Sequence, residues 1–573
     1  MRSQLILDIK RKRKVAMSTS KKKHGNSIRR REFLQLGGAA TAATIITAAL
    51  GDGVATRAAN NTKALTATLA KPFELEEITI AELQRAMQAG KFTARSVSEK
   101  YLARIREVDK EGTRVNSIIE LNPDALAIAD ALDRERKAGK VRGALHGIPV
   151  LIKDNIDTAD RMMTTAGSLA LVGSKPARDA FVAQRLREAG AVILGKTNLS
   201  EWANFRSSHA TSGWSGRGGQ TRNPYALDRN PCGSSSGSGA AVASNFCAVA
   251  VGTETDGSVV CPSSSNSLVG IKPTLGLVSR AGIIPISHSQ DTAGPMARTV
   301  TDAAILLGAL AGIDARDAVT NESRGKASAD YTKFLDPSGL RGARIGVARK
   351  FFGFNEAVDP LMNAAIEAMK RLGAIIVDPA DIPTTGKFDD SEFEVLLYEF
   401  KADLNAYLAS LGRSAPVHSL KEIIEFNERH RDKEMPYFGQ DIMLKAEAKG
   451  ALTSKEYLAA LAKNHRLSRT EGIDAVMNQY KLDAMIAPTG GPAWPTDLLN
   501  GDHTTGGFSS PAAVAGYPHI TVPAGNVAGL PVGLSFFGRA YTEPALIKFA
   551  YAYEQATKLR RPPQFLAHAN LPA

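Results

Sequence analysis

The feature that most restricts the fold is a repeated order of helix, glycine and apolar strand. DAFVAQRLREAG predicts a helix that ends at Gly190, and AVIL, which follows it, predicts a buried strand. The same order returns at AAIEAMKRLG and AIIVD, residues 364–378. Helices that alternate with strands in this way place the strands in one parallel or mixed sheet. The sequence therefore predicts an α/β fold, a large mixed β-sheet covered on both faces by α-helices.

Other segments extend this pattern along the chain. Residues 76–140 predict helices, GIPVLI predicts a strand that ends at Lys153, and HITVPAG and LPVGLSFFG predict two strands near the C-terminus. Residues 313–475 are more charged and mostly helical, which predicts a segment that covers a site. No linker rich in Gly, Ser or Pro divides residues 60–573, so one large domain is expected there.

The first 59 residues have the composition of an export leader. Arg29, Arg30 and Arg31 precede Glu-Phe-Leu, and the mild apolar run GGAATAATIITAAL follows. That run is shorter than the roughly 20 strongly apolar residues of a membrane span. Together with the small residues at 55–59, it resembles a twin-arginine (Tat) signal, and the alternative is a basic tail beside an Ala-rich helix. We expect a periplasmic or secreted protein that meets the Tat export machinery and is not inserted in a membrane after leader removal. Translation could start at Met1 or Met17.

The positive charge of the chain is concentrated in this leader. Residues 1–60 hold 13 Lys and Arg against 3 Asp and Glu, whereas the remaining residues hold 58 basic and 55 acidic side chains. A body with a net charge of +3 gives no reason to expect nucleic acid as a partner. The three cysteines, Cys232, Cys247 and Cys261, are too few for a disulfide framework, and no metal-type spacing occurs, so neither a metal nor another cofactor is expected.

One phosphate-loop pattern is misleading. Residues 190–197, GAVILGKT, satisfy G-x-x-x-x-G-K-[ST]. A loop that wraps phosphate with its N–H groups would expose the large apolar side chains of Val, Ile and Leu. The run instead predicts a strand, with Lys196 as a polar residue at its end.

The stretch GSSSGSG, residues 233–239, has four possible interpretations: a linker, a phosphate cradle, a nucleophile elbow, or half of an active site. An elbow with Ser235 as nucleophile needs an apolar strand before it and a late histidine. The preceding NPYALDRNPC is polar and broken by prolines, and nothing marks His503, His519 or His568 as a partner. GAAVASNFCAVAVG follows at once and predicts a buried helix running into a strand, which excludes a flexible tether.

A second serine-bearing turn lies downstream, in GTETDGSVVCP, residues 252–262. Ser258 follows a glycine in a turn after the apolar run AVAVG. Successive backbone N–H groups of such a turn can point into one small space and hold a developing oxyanion. The turn is therefore a candidate oxyanion site.

The order of these motifs resembles the amidase signature family. GIPVLIKDNID, GSSSGSGAAVA, GTETDGSVVCPSSSNSLVGIKPT and ISHSQDTAGPMARTVTDAA follow one another in the family's order, and AGYPHITVPAG with GLPVGLSFFG agrees near the end. The resemblance runs from about residue 78 to residue 565. It implies the amidase signature fold and an enzyme that hydrolyses carboxylic amides to the acid and ammonia.

The resemblance implies a triad of Ser258, Ser234 and Lys153. Ser258 looks like the nucleophile, Ser234 like the family's cis-peptide serine that relays a proton, and Lys153 like the base, while Ser235 steadies the loop. A lysine can accept that proton only when it is neutral, so its pKa must fall several units from about 10.4. Burial away from carboxylates lowers a lysine pKa in this way, and Asp154 on the next position of the strand points to the opposite face.

The backbone N–H groups of Thr255, Asp256 and Gly257, with Ser258, are implied as oxyanion donors. The family turn commonly has two glycines, whereas this chain has Asp256 before Gly257. Asp at 256 is compatible with the turn if its φ is negative or left-handed. Either Asp256 or Glu254 could orient a substrate.

The segments TETDGSVVCP and GLVSRAGIIPIS look closest to the peptide amidase branch, which deamidates C-terminal peptide amides. A broad aliphatic or aryl amidase is the alternative, and an exported solute-binding protein is the non-enzymatic one. An aminoacyl-tRNA amidotransferase subunit would not carry an export leader, and a fatty-acid amide hydrolase would need a membrane-binding helix that is not visible after residue 60.

Overall fold

The computed structural model describes residues 72–412 and 415–571, which lie in one compact unit. Within them, eleven strands form a single sheet in the order β1-β3-β2-β6-β8-β7-β12-β13-β11-β9-β10, and β4 and β5 form a separate hairpin. The strands are β1 Ile118–Leu121, β2 Pro149–Lys153, β3 Val192–Thr197, β4 Trp214–Ser215, β5 Gly219–Gln220, β6 Val249–Glu254, β7 Val269–Lys272, β8 Thr292–Ala297, β9 Arg344–Val347, β10 Ile375–Val377, β11 Ala484–Pro488, β12 His519–Val527 and β13 Leu530–Phe537.

The sheet is mixed, as the sequence predicts. β2 runs parallel to both β3 and β6, and β9 runs parallel to β10 and β11. The remaining neighbours pair antiparallel, including the long hairpin of β12 and β13. Since β2 and β6 are adjacent and parallel, their C-terminal ends meet at one edge of the sheet.

Helices pack around this sheet. They are α1 Ile80–Gln88, α2 Ala94–Arg104, α3 Ala125–Lys137, α4 Phe181–Glu188, α5 Ser236–Ala243, α6 Val260–Ser265, α7 Val300–Leu310, α8 Val358–Arg371, α9 Asp389–Ser410, α10 Leu420–Arg429, α11 Arg431–Glu434, α12 Asp441–Glu447, α13 Lys455–His465, α14 Asp474–Tyr480, α15 Ser510–Ala515 and α16 Glu543–Thr557. None of the helices in these described ranges is long and apolar enough to cross a membrane.

The strands and helices that bear on the site form where the sequence predicts them. β2 ends at Lys153, α5 runs into β6 by way of residues 244–248, and α4 is followed by Gly190 in the left-handed region. The fold class is confirmed. The predicted leader, residues 1–59, lies outside the described residues.

The segment 313–475 is only partly helical. It includes β9, α8 and β10, which belong to the main sheet and its packing. The helical cover is narrower and consists of α9 to α13. Residues of α9, α10 and α12 share an apolar cluster with the loops around residues 166–171, 202–205 and 284–286, so this cover packs on the loops at one edge of the sheet.

Candidate active site

Lys153, at the end of β2, points into the protein and contacts the two predicted serine motifs. Its side chain is fully buried. The Nζ lies 2.8 Å from Ser234 Oγ, 2.9 Å from Thr253 Oγ1 and 3.3 Å from Thr253 O. Strand β2 is paired with β6, and this pairing brings Thr253 beside Lys153. The strand pairing thus positions the amine.

The surroundings of Lys153 favour its neutral form. Within the described residues no carboxylate lies at ion-pair distance from Lys153, and Asp154 instead pairs with Arg217 at 3.3 Å. Burial lowers the pKa of Lys153 to about 7, against a smaller opposing effect of the Asp291 and Glu254 charges. An amine of this kind exists in both protonation states near neutral pH, as a general base must.

Ser234 and Ser235 are each held by contacts with the backbone of another segment. The Gly233–Ser234 peptide bond is cis, and Ser200 N–H donates to Ser234 O at 3.1 Å. Ser235 Oγ donates to Thr253 O at 3.0 Å and accepts from Thr253 N–H at 3.2 Å, which ties the loop to β6. The loop-steadying role of Ser235 stays a prediction.

Ser258 lies in the turn between β6 and α6 and is 8% exposed. Its carbonyl accepts a hydrogen bond from Ser235 N–H at 3.2 Å, so the two serine-bearing segments are joined through the backbone. No hydrogen bond links Ser258 Oγ to Ser234 Oγ among the described residues. The structure therefore brings Lys153 and Ser234 into direct contact and places Ser258 beside them with its hydroxyl unengaged by protein.

The predicted oxyanion donors divide into two groups. Gly257 N–H donates to Glu254 Oε1 at 3.0 Å, and the other Glu254 oxygen accepts from the N–H groups of Val259 and Val260. The structure does not support Gly257 as a free donor, because a buried carboxylate already uses that N–H. In the described part of the chain, the N–H groups of Thr255, Asp256 and Ser258 have no protein acceptor.

The Asp-Gly pair of the turn fits its backbone. Asp256 is absent from the residues with positive φ, whereas Gly257 has a φ of +81°. The position that needs glycine therefore retains it, and Asp256 is accommodated as the sequence predicts. Asp256 Oδ2 accepts from Ser510 Oγ at 2.6 Å.

Two cavities flank these loops. The larger, 840 Å³, borders the Thr253–Thr255 end of β6 and is partly covered by α9 through Asp403, Tyr407 and Ser410. The smaller, 260 Å³, borders Gly233, Asp256 and Gly257. The larger volume is in the range of sites that bind drug-sized ligands. Helix α9 of the helical cover thus borders this cavity, and a covering role for residues 313–475 stays a prediction.

A disulfide links the two serine-bearing segments. Cys232, two residues before Ser234, is bonded to Cys261, three residues after Ser258, while Cys247 is a buried free thiol. The three cysteines do not form a framework, but the sequence gives no indication of this single bond. Its position cross-links the loop of Ser234 to the start of α6.

Removing the disulfide is expected to destabilise the fold. The bond spans 29 residues, and loop closure of that length corresponds to about 3.6 kcal/mol in the free energy of unfolding. A Cys232→Ala/Cys261→Ala double variant should lose this amount in urea unfolding. A reductant should lower the stability of the wild type but leave the double variant unchanged. Equal stability of the wild type with and without reductant would contradict the prediction.

Alternative motifs have structural explanations. Lys196 lies on β3, is fully buried, and donates to Ile156 O and Thr164 Oγ1, so residues 190–197 do not form a phosphate loop. The three histidines that were considered as partners of a nucleophile elbow each contact another residue. His503 contacts Asp497, His519 contacts Ser535, and His568 contacts Asp228.

One group of side chains in the described ranges has metal-type donors, namely His288, Glu399 and Asp403. His288 Nδ1 lies 2.8 Å from Asp403, and Glu399 accepts from Ser289 and Tyr457. Through these contacts, the three side chains connect the loop at residue 288 to α9. The absence of a cofactor stays a prediction.

The sequence analysis did not identify Thr253, Asn155 or Asp291 as site residues. Thr253 contacts Lys153 and Ser235, and Asn155 Nδ2 donates to Thr253 Oγ1 at 3.0 Å. Asp291 accepts from Thr255 Oγ1 at 2.6 Å and from two N–H groups of its own loop. Thr253 could have been found from its position on the strand directly before the turn that carries Ser258. Nothing comparable in the sequence marks Asp291.

Comparisons with known proteins show the family of this chain. The family model described as Amidase matches residues 96–547. A probable amidase of Arabidopsis thaliana is 45% identical over 508 residues, covering 87% of this chain and 94% of that protein. A putative amidase of Schizosaccharomyces pombe is 39% identical over 535 residues, covering 87% of this chain and 88% of that protein.

A solved structure is similar over nearly the whole described fold. The native peptide amidase from Stenotrophomonas maltophilia is 52% identical, has a TM-score of 0.82, and covers 86% of this chain and 100% of that chain. The family match spans most of the chain, and the Lys–Ser contact lies inside it. The chain belongs to the amidase family and is an amidase, a hydrolase that acts on amide carbon–nitrogen bonds.

Proposed function

We propose that the protein hydrolyses the C-terminal carboxamide of peptides to the free acid and ammonia, through an acyl-enzyme on Ser258. The observation that carries the proposal is the 2.8 Å contact between the buried Lys153 Nζ and Ser234 Oγ, with no carboxylate paired to the amine among the described residues. A neutral amine in contact with a hydroxyl is a base that can act through that hydroxyl on a second serine.

The reaction begins with proton transfer away from Ser258. As Ser258 Oγ attacks the amide carbon, its proton passes to Ser234 and the Ser234 proton passes to neutral Lys153. The first of these transfers requires the Ser258 hydroxyl to turn towards Ser234. The carbonyl oxygen becomes an oxyanion, which the free N–H groups of Thr255, Asp256 and Ser258 stabilise.

The same relay then runs in reverse. Protonated Lys153 returns its proton through Ser234 to the amide nitrogen as the carbon–nitrogen bond breaks, and ammonia leaves. A water molecule attacks the ester on Ser258, giving its proton to the relay, and the acid departs as Ser258 regains its hydrogen. Each half-reaction restores the starting protonation states.

The preference for peptide amides rests on the larger cavity and on the comparison. The 840 Å³ cavity exceeds the needs of a small aliphatic amide, and the peptide amidase from Stenotrophomonas maltophilia is similar over 86% of this chain. Ammonia release should be measured on peptide amides, aliphatic amides and aryl amides side by side. Higher kcat/KM on peptide amides supports the proposal, and a preference for short aliphatic or aryl amides supports a broad amidase instead.

Activity is expected to rise with pH through the Lys153 pKa. Because the base must be neutral and its pKa is about 7, kcat/KM should rise about tenfold per pH unit below that value and stop rising above it, until a second group begins to titrate on the alkaline side. The profile should be measured with a neutral peptide amide between pH 5 and 9. A profile that stays flat down to pH 5 would exclude Lys153 as the base.

We infer that the mature protein is exported, periplasmic or secreted, through the Tat machinery. The Arg29–Arg31 leader motif supports this, and so does the Cys232–Cys261 disulfide, since disulfides persist mainly in oxidising compartments. Fractionation of cells that express the full chain should place it outside the cytoplasm. Replacing both Arg30 and Arg31 by lysine should retain it inside.

The remaining alternatives make different predictions. An exported solute-binding protein would have no hyper-reactive serine, so a fluorophosphonate probe that labels the wild type but not Ser258→Ala excludes it. An amidotransferase subunit would release ammonia only with its partner proteins present. Hydrolysis by the isolated chain excludes that function.

A further inference from the structure

The turn that carries Ser258 is attached to the helical cover through two acidic side chains. Glu392, in the first turn of α9, is 7% exposed, and its carboxyl group makes a side-chain hydrogen-bonding contact with the Asp256 carboxyl group. Asp256 is one of the predicted oxyanion donors whose N–H has no protein acceptor among the described residues. The two residues are 136 positions apart in sequence, so the contact exists only in the fold.

A second contact runs parallel to the first. Gln290 Nε2 donates to Glu392 Oε1 at 2.9 Å and to Thr255 O at 3.3 Å. The carbonyl of Thr255 belongs to the peptide unit that supplies the Asp256 N–H. Glu392 is therefore connected to this peptide by two contacts, one with the side chain of Asp256 and one with Gln290.

One oxygen of the Asp256 carboxyl group has no hydrogen-bond donor among the described residues. The Oδ2 atom accepts from Ser510 Oγ at 2.6 Å, but Oδ1 is buried and has no hydrogen-bond donor among the described residues. A buried carboxylate oxygen without a donor is costly. The Asp256 side chain is in contact with another carboxyl group, that of Glu392, which can act as a hydrogen-bond donor only when it carries a proton.

We propose that Glu392 is a positioning residue of the amidase: protonated, it donates a hydrogen bond to Asp256 and fixes the peptide whose N–H groups stabilise the oxyanion. This inference rests on the proposed serine mechanism. Two carboxyl groups in contact cannot both ionise at ordinary pH. A glycine at 256 could not make this contact, which gives the aspartate a function in the turn.

The charges around the pair favour one shared proton. Burial, followed by the Asp256 charge, raises the pKa of Glu392 well above its usual range, and Asp389 on the same helix acts in the same direction. From the sheet, Glu254 on β6 adds negative charge, and Lys272 on β7 is the cation that faces Glu254 and Asp256. Since Lys272 is buried and has a lowered pKa of about 8, its charge also decreases on the alkaline side.

The test compares two substitutions of Glu392. Glu392→Gln keeps an N–H donor for Asp256 but cannot titrate, whereas Glu392→Leu removes the donor. We expect Glu392→Leu to lower kcat about 10- to 100-fold with little change in KM, as for a small misplacement of catalytic groups. Glu392→Gln should stay close to the wild type. Glu394→Leu, on the same helix and paired with Lys449 instead, is the matched control and should also stay close to the wild type.

The pH profile gives a readout that a merely structural role would not change. Activity of the wild type should fall on the alkaline side as the pair loses its proton, and this fall should be weaker in Glu392→Gln. This comparison does not require Glu392→Leu to fold. If the alkaline fall is the same in both proteins, or if a folded Glu392→Leu is as active as Glu394→Leu, the proposal is wrong. Failure of the serine mechanism would appear separately, as retained activity in Ser258→Ala.

Discussion

A Ser258→Ala variant is expected to lose at least about 10⁴-fold in kcat on a peptide amide while remaining folded. In the proposed mechanism, the substitution removes the atom that forms the acyl-enzyme bond. The Ser258 hydroxyl makes no hydrogen bond within the described residues, so its removal leaves no buried group without a partner. Steady-state ammonia release and thermal unfolding, measured on the same preparation, test both parts of this prediction.

Ser263→Ala is the matched control for Ser258→Ala. Ser263 lies on α6, five residues further on, and its Oγ donates to Val259 O at 2.7 Å within that helix. Removing the same atom there should leave ammonia release close to the wild type and fluorophosphonate labelling intact. Labelling of Ser258→Ala at the wild-type rate would mean that another residue is the nucleophile.

Local patterns were enough to predict the fold class and the strands and helices that position the candidate site. The apolar run before Lys153 forms β2, and the glycine–serine loop at 233–239 ends in α5, because each depends on residues close in sequence. The identity of Lys153 as a buried amine could not be derived from composition or periodicity. It followed from the order of motifs, and the structure supplies the reason: Thr253 and Ser234 satisfy Nζ without a charge.

Contacts between distant segments could not be predicted. The use of Gly257 N–H by Glu254 depends on a side-chain rotamer, and the contact of Glu392 with Asp256 depends on how α9 packs over the turn. The position of the disulfide depends on two loops meeting in space. Each of these involves polar groups whose partners are set by tertiary packing, for which a single sequence has no periodic signal.

The largest effect on stability is expected from disrupting a buried ion network between the core and the helical cover. Arg206 Nη1 lies 2.8 Å from Glu201 Oε1 and 3.9 Å from Glu434 Oε2, and all three side chains are at most 1% exposed. The guanidinium also lies over the rings of Trp214 and Phe438. Glu434 belongs to α11 of the cover, so this network joins α11 to the loop that follows Glu201.

Arg206→Met is expected to lower the free energy of unfolding by about 3–5 kcal/mol, the usual cost of leaving buried charges without their partner. Two carboxylates would then face each other with no cation. Burial already raises the pKa of Glu201 well above its usual range while Arg206 opposes this, so removing the arginine raises it further. Urea unfolding of the wild type and the variant at pH 7 measures the difference.

The sign of the pH dependence separates lost charge pairing from lost packing. A carboxyl group whose pKa is raised in the folded state binds more protons when folded, so the stability of Arg206→Met should recover as pH falls from 7 towards 5. A Glu201→Gln/Arg206→Met/Glu434→Gln triple variant, which removes all three charges, should recover much of the loss at pH 7. If the triple variant is as unstable as Arg206→Met and neither depends on pH, the arginine stabilises the cover through its contacts with Trp214 and Phe438 and not through its charge.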